Sequence, residues 1–285
     1  MKILYLANFD LPDFMSDMVF HGLRSLFGPD VIDYKEAWYM YDDFRKYWAD
    51  RVPGRGMEYG RGLTLYGKLP HLYVDYTDIE NKIKKHYFDK IIYGSIWRNM
   101  DYFTEVQSHY NPNDIIFIDG EDGIDIRSDY LHKGKYYKRE LMNGLLLVKP
   151  INFCIPKELI IKKVPLKEKD YATIIPGDKS TYIYTEEKPY YEDYQKSYFG
   201  VTCKKGGWDC LRHYEILMNG CIPFFPDLDQ CPENTMTRFP KKLVLEAMEK
   251  IKEGNDLAFY EEYVTLLLEH TKNNLTTEEV AKSLL

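Results

Sequence analysis

Residues 197–226, SYFGVTCKKGGWDCLRHYEILMNGCIPFFP, constrain the fold more than any other stretch of this chain. A short apolar, β-prone run around Val201 is followed by Lys204-Lys205-Gly206-Gly207, where a helix should begin. Leu211, Tyr214, Leu217 and Met218 then fall at helical spacing and make one buried stripe. Asn219-Gly220 stops that helix, and Cys221 to Phe225 reads as a second apolar strand. A strand–helix–strand unit of this kind belongs in a parallel sheet. Its chemistry is equally specific. Two glycines let a backbone approach a ligand closely, and a helix N-terminus presents free N–H groups to an anion. Lys204 and Lys205 add positive charge there. Arg212 and Glu215 share one helix face off the apolar stripe. The set suits a nucleotide, with cations for phosphates and a carboxylate for ribose hydroxyls.

The segment resembles the donor-binding motif of exostosin-like glycosyltransferases. The matching residues are Ser197 and Phe199 in the strand, Gly206 and Gly207 in the loop, Arg212 and Glu215 in the helix, and Gly220-Cys221-Ile222-Pro223. The opening LPDFMSDMVFHGLRSLFG is similar to the start of small glycosyltransferase-like proteins from bacteria, phages and large DNA viruses. The resemblance implies the α/β GT-B fold, two Rossmann-like domains with an interdomain cleft. It implies a glycosyltransferase, a hexosyl- or pentosyltransferase that moves a sugar from a nucleotide-diphosphate sugar, UDP-linked, to a glycan hydroxyl. Inversion at the anomeric carbon and donor binding without a metal also follow from the resemblance, with no cofactor beyond the nucleotide-sugar substrate. The membrane anchor and stem of the larger exostosins are not seen here, which points to a compact enzyme of the cytoplasm, or of a host cytoplasm if viral.

The remaining chain fits two such halves. Strands are expected at 2–7, 31–34, 90–93 and 113–118, with helices at 16–27 (capped by Ser16), 78–86 and 99–109. Residues 144–156 read as the last strand of a first, acceptor domain spanning 1–150 and the crossing into a donor domain spanning 151–285. In the second half a strand is expected near 172–176 and an aromatic, acidic helix near 187–195. Helices are expected near 241–253, 256–270 and 276–284. The glycine-rich stretch 50–70, with Gly54, Gly56, Gly60, Gly62 and Gly67, reads as a long loop or flap. No Gly-x-Gly-x-x-Gly follows the first strand, which argues against a nicotinamide dehydrogenase.

Composition narrows the partners. A net charge of −7 over 285 residues argues against a general nucleic-acid binder, and no apolar run approaches the length of a membrane span. Five cysteines at 154, 203, 210, 221 and 231, without a Cys-x-x-Cys pair, read as free thiols and not as a zinc site. No metal ligand set is expected.

An inverting transfer needs a carboxylate or His to take the acceptor's proton. Ligands in such sheets sit at the carboxyl ends of strands. Asp119, Glu121 and Asp122 follow the strand ending at Ile118, where a polar turn is the plain alternative. Asp13, Asp17 and His21 follow the first strand. Asp17 and His21 lie four apart, either as a carboxylate–imidazole pair or as a helix cap and a packing residue. Arg98, after a third strand, could reach a phosphate or an anionic acceptor. Lys179 and Ser180 could meet the diphosphate. Lys138-Arg139-Glu140 reads as a solvated helix face. The alternative function is a non-catalytic nucleotide- or carbohydrate-binding module that keeps this fold and lacks the base.

Overall fold

The computed structural model describes residues 1–10, 12–51, 63–252 and 258–285. Among them, two parallel sheets organise the chain. The larger has strands β1 (Ile3–Leu6), β2 (Val31–Tyr34), β3 (Lys90–Tyr93), β4 (Ile115–Asp119), β5 (Lys135–Lys138) and β6 (Val148–Pro150). Their order is β2-β1-β3-β4-β5-β6, all parallel. The smaller has β7 (Lys169–Tyr171), β8 (Ser197–Val201) and β9 (Ile222–Phe224), also parallel.

The helices are α1 (Phe14–Phe27), α2 (Arg45–Arg51), α3 (Ile79–Lys84), α4 (Phe103–His109), α5 (Glu187–Gln195), α6 (Leu211–Met218), α7 (Lys241–Lys252), α8 (Ala258–Asn274) and α9 (Thr277–Leu284).

Strand side chains alternate between two apolar layers, as a doubly covered sheet requires. Ile3, Tyr5, Ile92, Ile116 and Ile118 pack with Met18, Phe20 and Leu23 of α1. Leu4, Leu6, Ile91, Tyr93, Ile115 and Phe117 face the other way, with Ile79 and Ile83 of α3 and Val106 of α4. The first layer is continuous with the core of the smaller sheet, through Tyr190, Tyr214 and Leu217. The chain's last helix returns to the first. His21 of α1 bonds Thr277 of α9 at 2.9 Å, and Val280, Ala281 and Leu284 join the α1 layer.

The order of the larger sheet reverses at β1 and β3, which places a crevice beyond their carboxyl ends. The connections after β1, β3, β4 and β5 all emerge at that edge.

Several expectations change. The cap of α1 is Asp13, whose Oδ1 accepts the Ser16 amide at 3.3 Å, so the helix is capped three residues before the expected Ser16. The helix expected from 99 begins at Phe103. The strand expected near 172–176 lies at Lys169–Tyr171, in register with Ser197 and Phe199. Residues 172–176 instead turn away, pinned where Asp193 accepts the Thr173 amide at 2.7 Å. Lys138-Arg139-Glu140 is no solvated helix face. Lys138 ends β5, and all three residues are almost completely buried. Each finds an opposite charge, which is what allows its burial. Of the expected flap, residues 52–62 lie outside the described residues.

Candidate functional site

A pocket of about 250 Å³ opens where the loop after β8 meets the strand ends of the larger sheet. Lys205, Gly206, Gly207, Arg212 and Glu215 line it from one side; Phe14 and Asp122 line it from the other. Two elements create this wall. β8 carries the chain to the crevice edge and α6 leads it away, so the glycine loop faces the loop after β4.

The glycines work in an unexpected way. A side chain at Gly206 would overlap the Asp122 carboxylate, and one at Gly207 would overlap Glu140. Glu140 thus reaches the backbone that leads into α6. Its Oε2 accepts the Trp208 amide and its Oε1 the Asp209 amide, both at 2.9 Å. An internal carboxylate holds part of the amide array that sequence reasoning left to a ligand. Arg139 balances it. That buried guanidinium bonds Glu140 at 2.8 Å and the Gly120 carbonyl at 2.9 Å, and also reaches the Asp209 carbonyl and Asp122.

Glu215 is buried, and its two oxygens accept the hydroxyls of Thr64 and Tyr190. Burial pushes its carboxyl above the usual range, and those two hydrogen bonds pull it partly back. Arg212 donates to the Tyr182 hydroxyl at 2.9 Å, and Lys205 approaches the same hydroxyl at 3.3 Å. Lys204 sets its backbone N–H on Asp227 at 3.2 Å and its ammonium over the Trp208 ring. Lys179 and Ser180 form an exposed turn in which Asp178 takes both the amide and the hydroxyl of Ser180; neither residue lines the pocket.

The acidic candidates separate by environment. Asp119 is fully buried, with Lys138 at 2.9 Å and the Tyr136 hydroxyl at 2.6 Å. Its carboxylate neutralises the buried lysine and does not line the pocket. Glu121 pairs with Arg98 at 2.9 Å, and Arg98 also reaches Asp13 at 3.1 Å. Burial raises the Asp13 carboxyl, while Arg98 opposes the shift. Asp17 is sealed beneath Tyr39, which donates to it at 2.6 Å. The Asp17–His21 pair does not form, because His21 turns to Thr277 and stands 3.3 Å from Glu158. Of the six candidates, Asp122 lines the pocket, and its side chain is 62% exposed.

Sequence reasoning missed Tyr182 and Asp209, and it read Arg139 and Glu140 as solvated where both are buried. Asp209 accepts the Phe153 amide and the Tyr214 hydroxyl at 2.7 Å each, and burial raises its carboxyl to about 6. His213, beside Arg212 in sequence, is held neutral by burial, its pKa lowered to about 3. Trp-Asp between Gly207 and α6 was the available signal for Asp209. Nothing in the sequence marked Tyr182.

No family model matches the chain, and no curated protein or solved structure matches it. Among the described residues no cluster of three metal-ligating side chains occurs, and no helix is long and apolar enough to cross a membrane.

Proposed function

We propose that this chain is a GT-B-type glycosyltransferase that moves a sugar from a nucleotide diphosphate, UDP, to a glycan hydroxyl with inversion. One observation carries the reading: a single pocket brings the basic glycine loop, Arg212 and Glu215 against Asp122 from the opposite half. In this reading the larger sheet serves the acceptor and the smaller sheet the donor. The five cysteines, all free thiols, suit a cytoplasmic setting.

Arg212 and Lys205 would receive the diphosphate in place of the Tyr182 hydroxyl they now hold. Each oxygen of Glu215 accepts one hydroxyl, so a lone pair remains on each for a ribose hydroxyl. Asp122 would take the acceptor proton. The acceptor oxygen then bonds the anomeric carbon as the bond to the β-phosphate oxygen breaks. The negative charge that leaves with the nucleotide meets Arg212 and Lys205, positioned in advance.

Time-resolved NMR with a panel of sugar nucleotides and acceptors tests the proposal. Transfer with an inverted anomeric proton coupling is the expected result. Nucleotide binding with no transfer or hydrolysis for any donor would favour the non-catalytic module.

A further inference from the structure

A second cavity, of about 460 Å³, lies on the far side of the loop after β4. Trp97, Arg98, Glu121, Gly123 and Asp125 line it. The two cavities therefore share one wall: Asp122 faces the first, while its neighbours Glu121 and Gly123 face the second.

Trp97 is the unusual member. A tryptophan is mostly buried in a folded protein, yet this one is 44% exposed and follows directly on the buried Ile96. Its ring also has a cationic neighbour. The Arg127 guanidinium lies over it, 5.3 Å from the centroid. Arg127 is itself held by the Ile96 carbonyl at 3.1 Å and the Tyr130 hydroxyl at 3.2 Å, and its amide bonds the Tyr136 hydroxyl at 3.1 Å. The indole is thus an apolar plate at the edge of an open, polar cavity, with a well-held guanidinium beside it.

The polar groups around it select the occupant. Glu121 and Asp125 accept hydrogen bonds, and Arg98, held between Glu121 and Asp13, donates them. A pyranose ring offers a patch of C–H groups to an aromatic face and a rim of hydroxyls to carboxylates and guanidinium. Two carboxylates disfavour an anionic ligand such as a phosphate. We infer that the Trp97 cavity is a subsite for a neutral sugar ring, with Trp97 as its stacking platform. Combined with the proposed function, on which this step rests, it is the acceptor subsite, and the shared wall brings an acceptor hydroxyl toward Asp122.

Saturation-transfer difference NMR on the full chain tests the subsite without requiring catalysis. The probes are the methyl glycosides of glucose, galactose, mannose and N-acetylglucosamine, with adenosine and uridine as stacking controls. At least one glycoside should show transfer concentrated on ring C–H protons. Trp97→Ala should weaken that binding at least about fivefold, Trp97→Phe should restore much of it, and Arg212→Ala should leave it unchanged. UDP affinity, measured in parallel, should be indifferent to Trp97→Ala. Glycoside binding that survives Trp97→Ala, binding of the nucleosides alone, or no glycoside binding would overturn the inference. Glycoside binding at Trp97 without UDP binding would leave the subsite standing and remove the donor reading.

Discussion

The Glu140 carboxylate accepts the backbone N–H of Trp208 at 2.9 Å, joining the end of β5 to the loop that leads into α6. The glycine loop is therefore shaped by a residue at the edge of the larger sheet. Both Glu140 and its partner Arg139 are buried, so removing Glu140 leaves the buried guanidinium with the exposed Asp122 carboxylate as its remaining ion-pair partner.

Glu140→Ala should lower stability by about 3–5 kcal/mol, the usual range for breaking a buried ion pair. Urea unfolding followed by circular dichroism reads this directly. A loss below about 1 kcal/mol would show that the Arg139 network does not hold the two halves together.

Asp209 should make stability fall as pH rises through the mildly acidic range. Its folded-state pKa, about 6, lies above the ordinary value of 3.8 because of burial. Between these values the folded chain keeps a proton that the unfolded chain has released. The contribution is thus present below about pH 4 and lost as pH climbs to about 6, at up to about 1.4 kcal/mol per unit. Unfolding free energies at several pH values should show a flatter dependence in Asp209→Asn. Identical slopes in the two proteins would rule out this titration.

Asp122→Asn should cut turnover by roughly 10²–10⁴ and leave nucleotide affinity nearly intact, as loss of a general base does. Asp119→Asn should act through the fold instead, because Asp119 neutralises buried Lys138. Steady-state kinetics paired with thermal melting separate the two. Full turnover in Asp122→Asn would move the base to Asp13 or Glu121.

Nucleotide should bind without a divalent ion, since Arg212 and Lys205 supply the positive charge. Equal UDP affinity in EDTA and in magnesium is expected. Binding that appears only with magnesium or manganese would overturn a cation-only site.

Much of the fold was legible where local pattern and tertiary burial agree. Val31–Tyr34, Lys90–Tyr93 and Glu187–Gln195 lie where residue pattern placed them. The unit from β8 to β9 also reads directly from its apolar spacing and glycines. β5 did not, because Lys-Tyr-Tyr-Lys opens and closes on charge. Lys138 is tolerated in the core by Asp119, nineteen residues away, and no local pattern reports such a pairing. His21 shows the same limit. Four residues from Asp17, it looks like half of a dyad, but its partner Thr277 lies 256 residues on. In the site, the basic loop and Arg-x-x-Glu were readable as motif. The Glu140 carboxylate behind that loop, and the Tyr182 hydroxyl on Arg212, arise only when distant segments meet.

The most direct test is calorimetric titration of UDP into the parent chain and into Arg212→Ala and Glu215→Ala. Each substitution removes one charged hydrogen-bonding partner of the nucleotide, worth about 1.5–3 kcal/mol. The parent should bind UDP, and both folded variants should bind at least about tenfold more weakly. No binding by the parent, or undiminished affinity in both variants, would contradict a nucleotide-diphosphate pocket at α6.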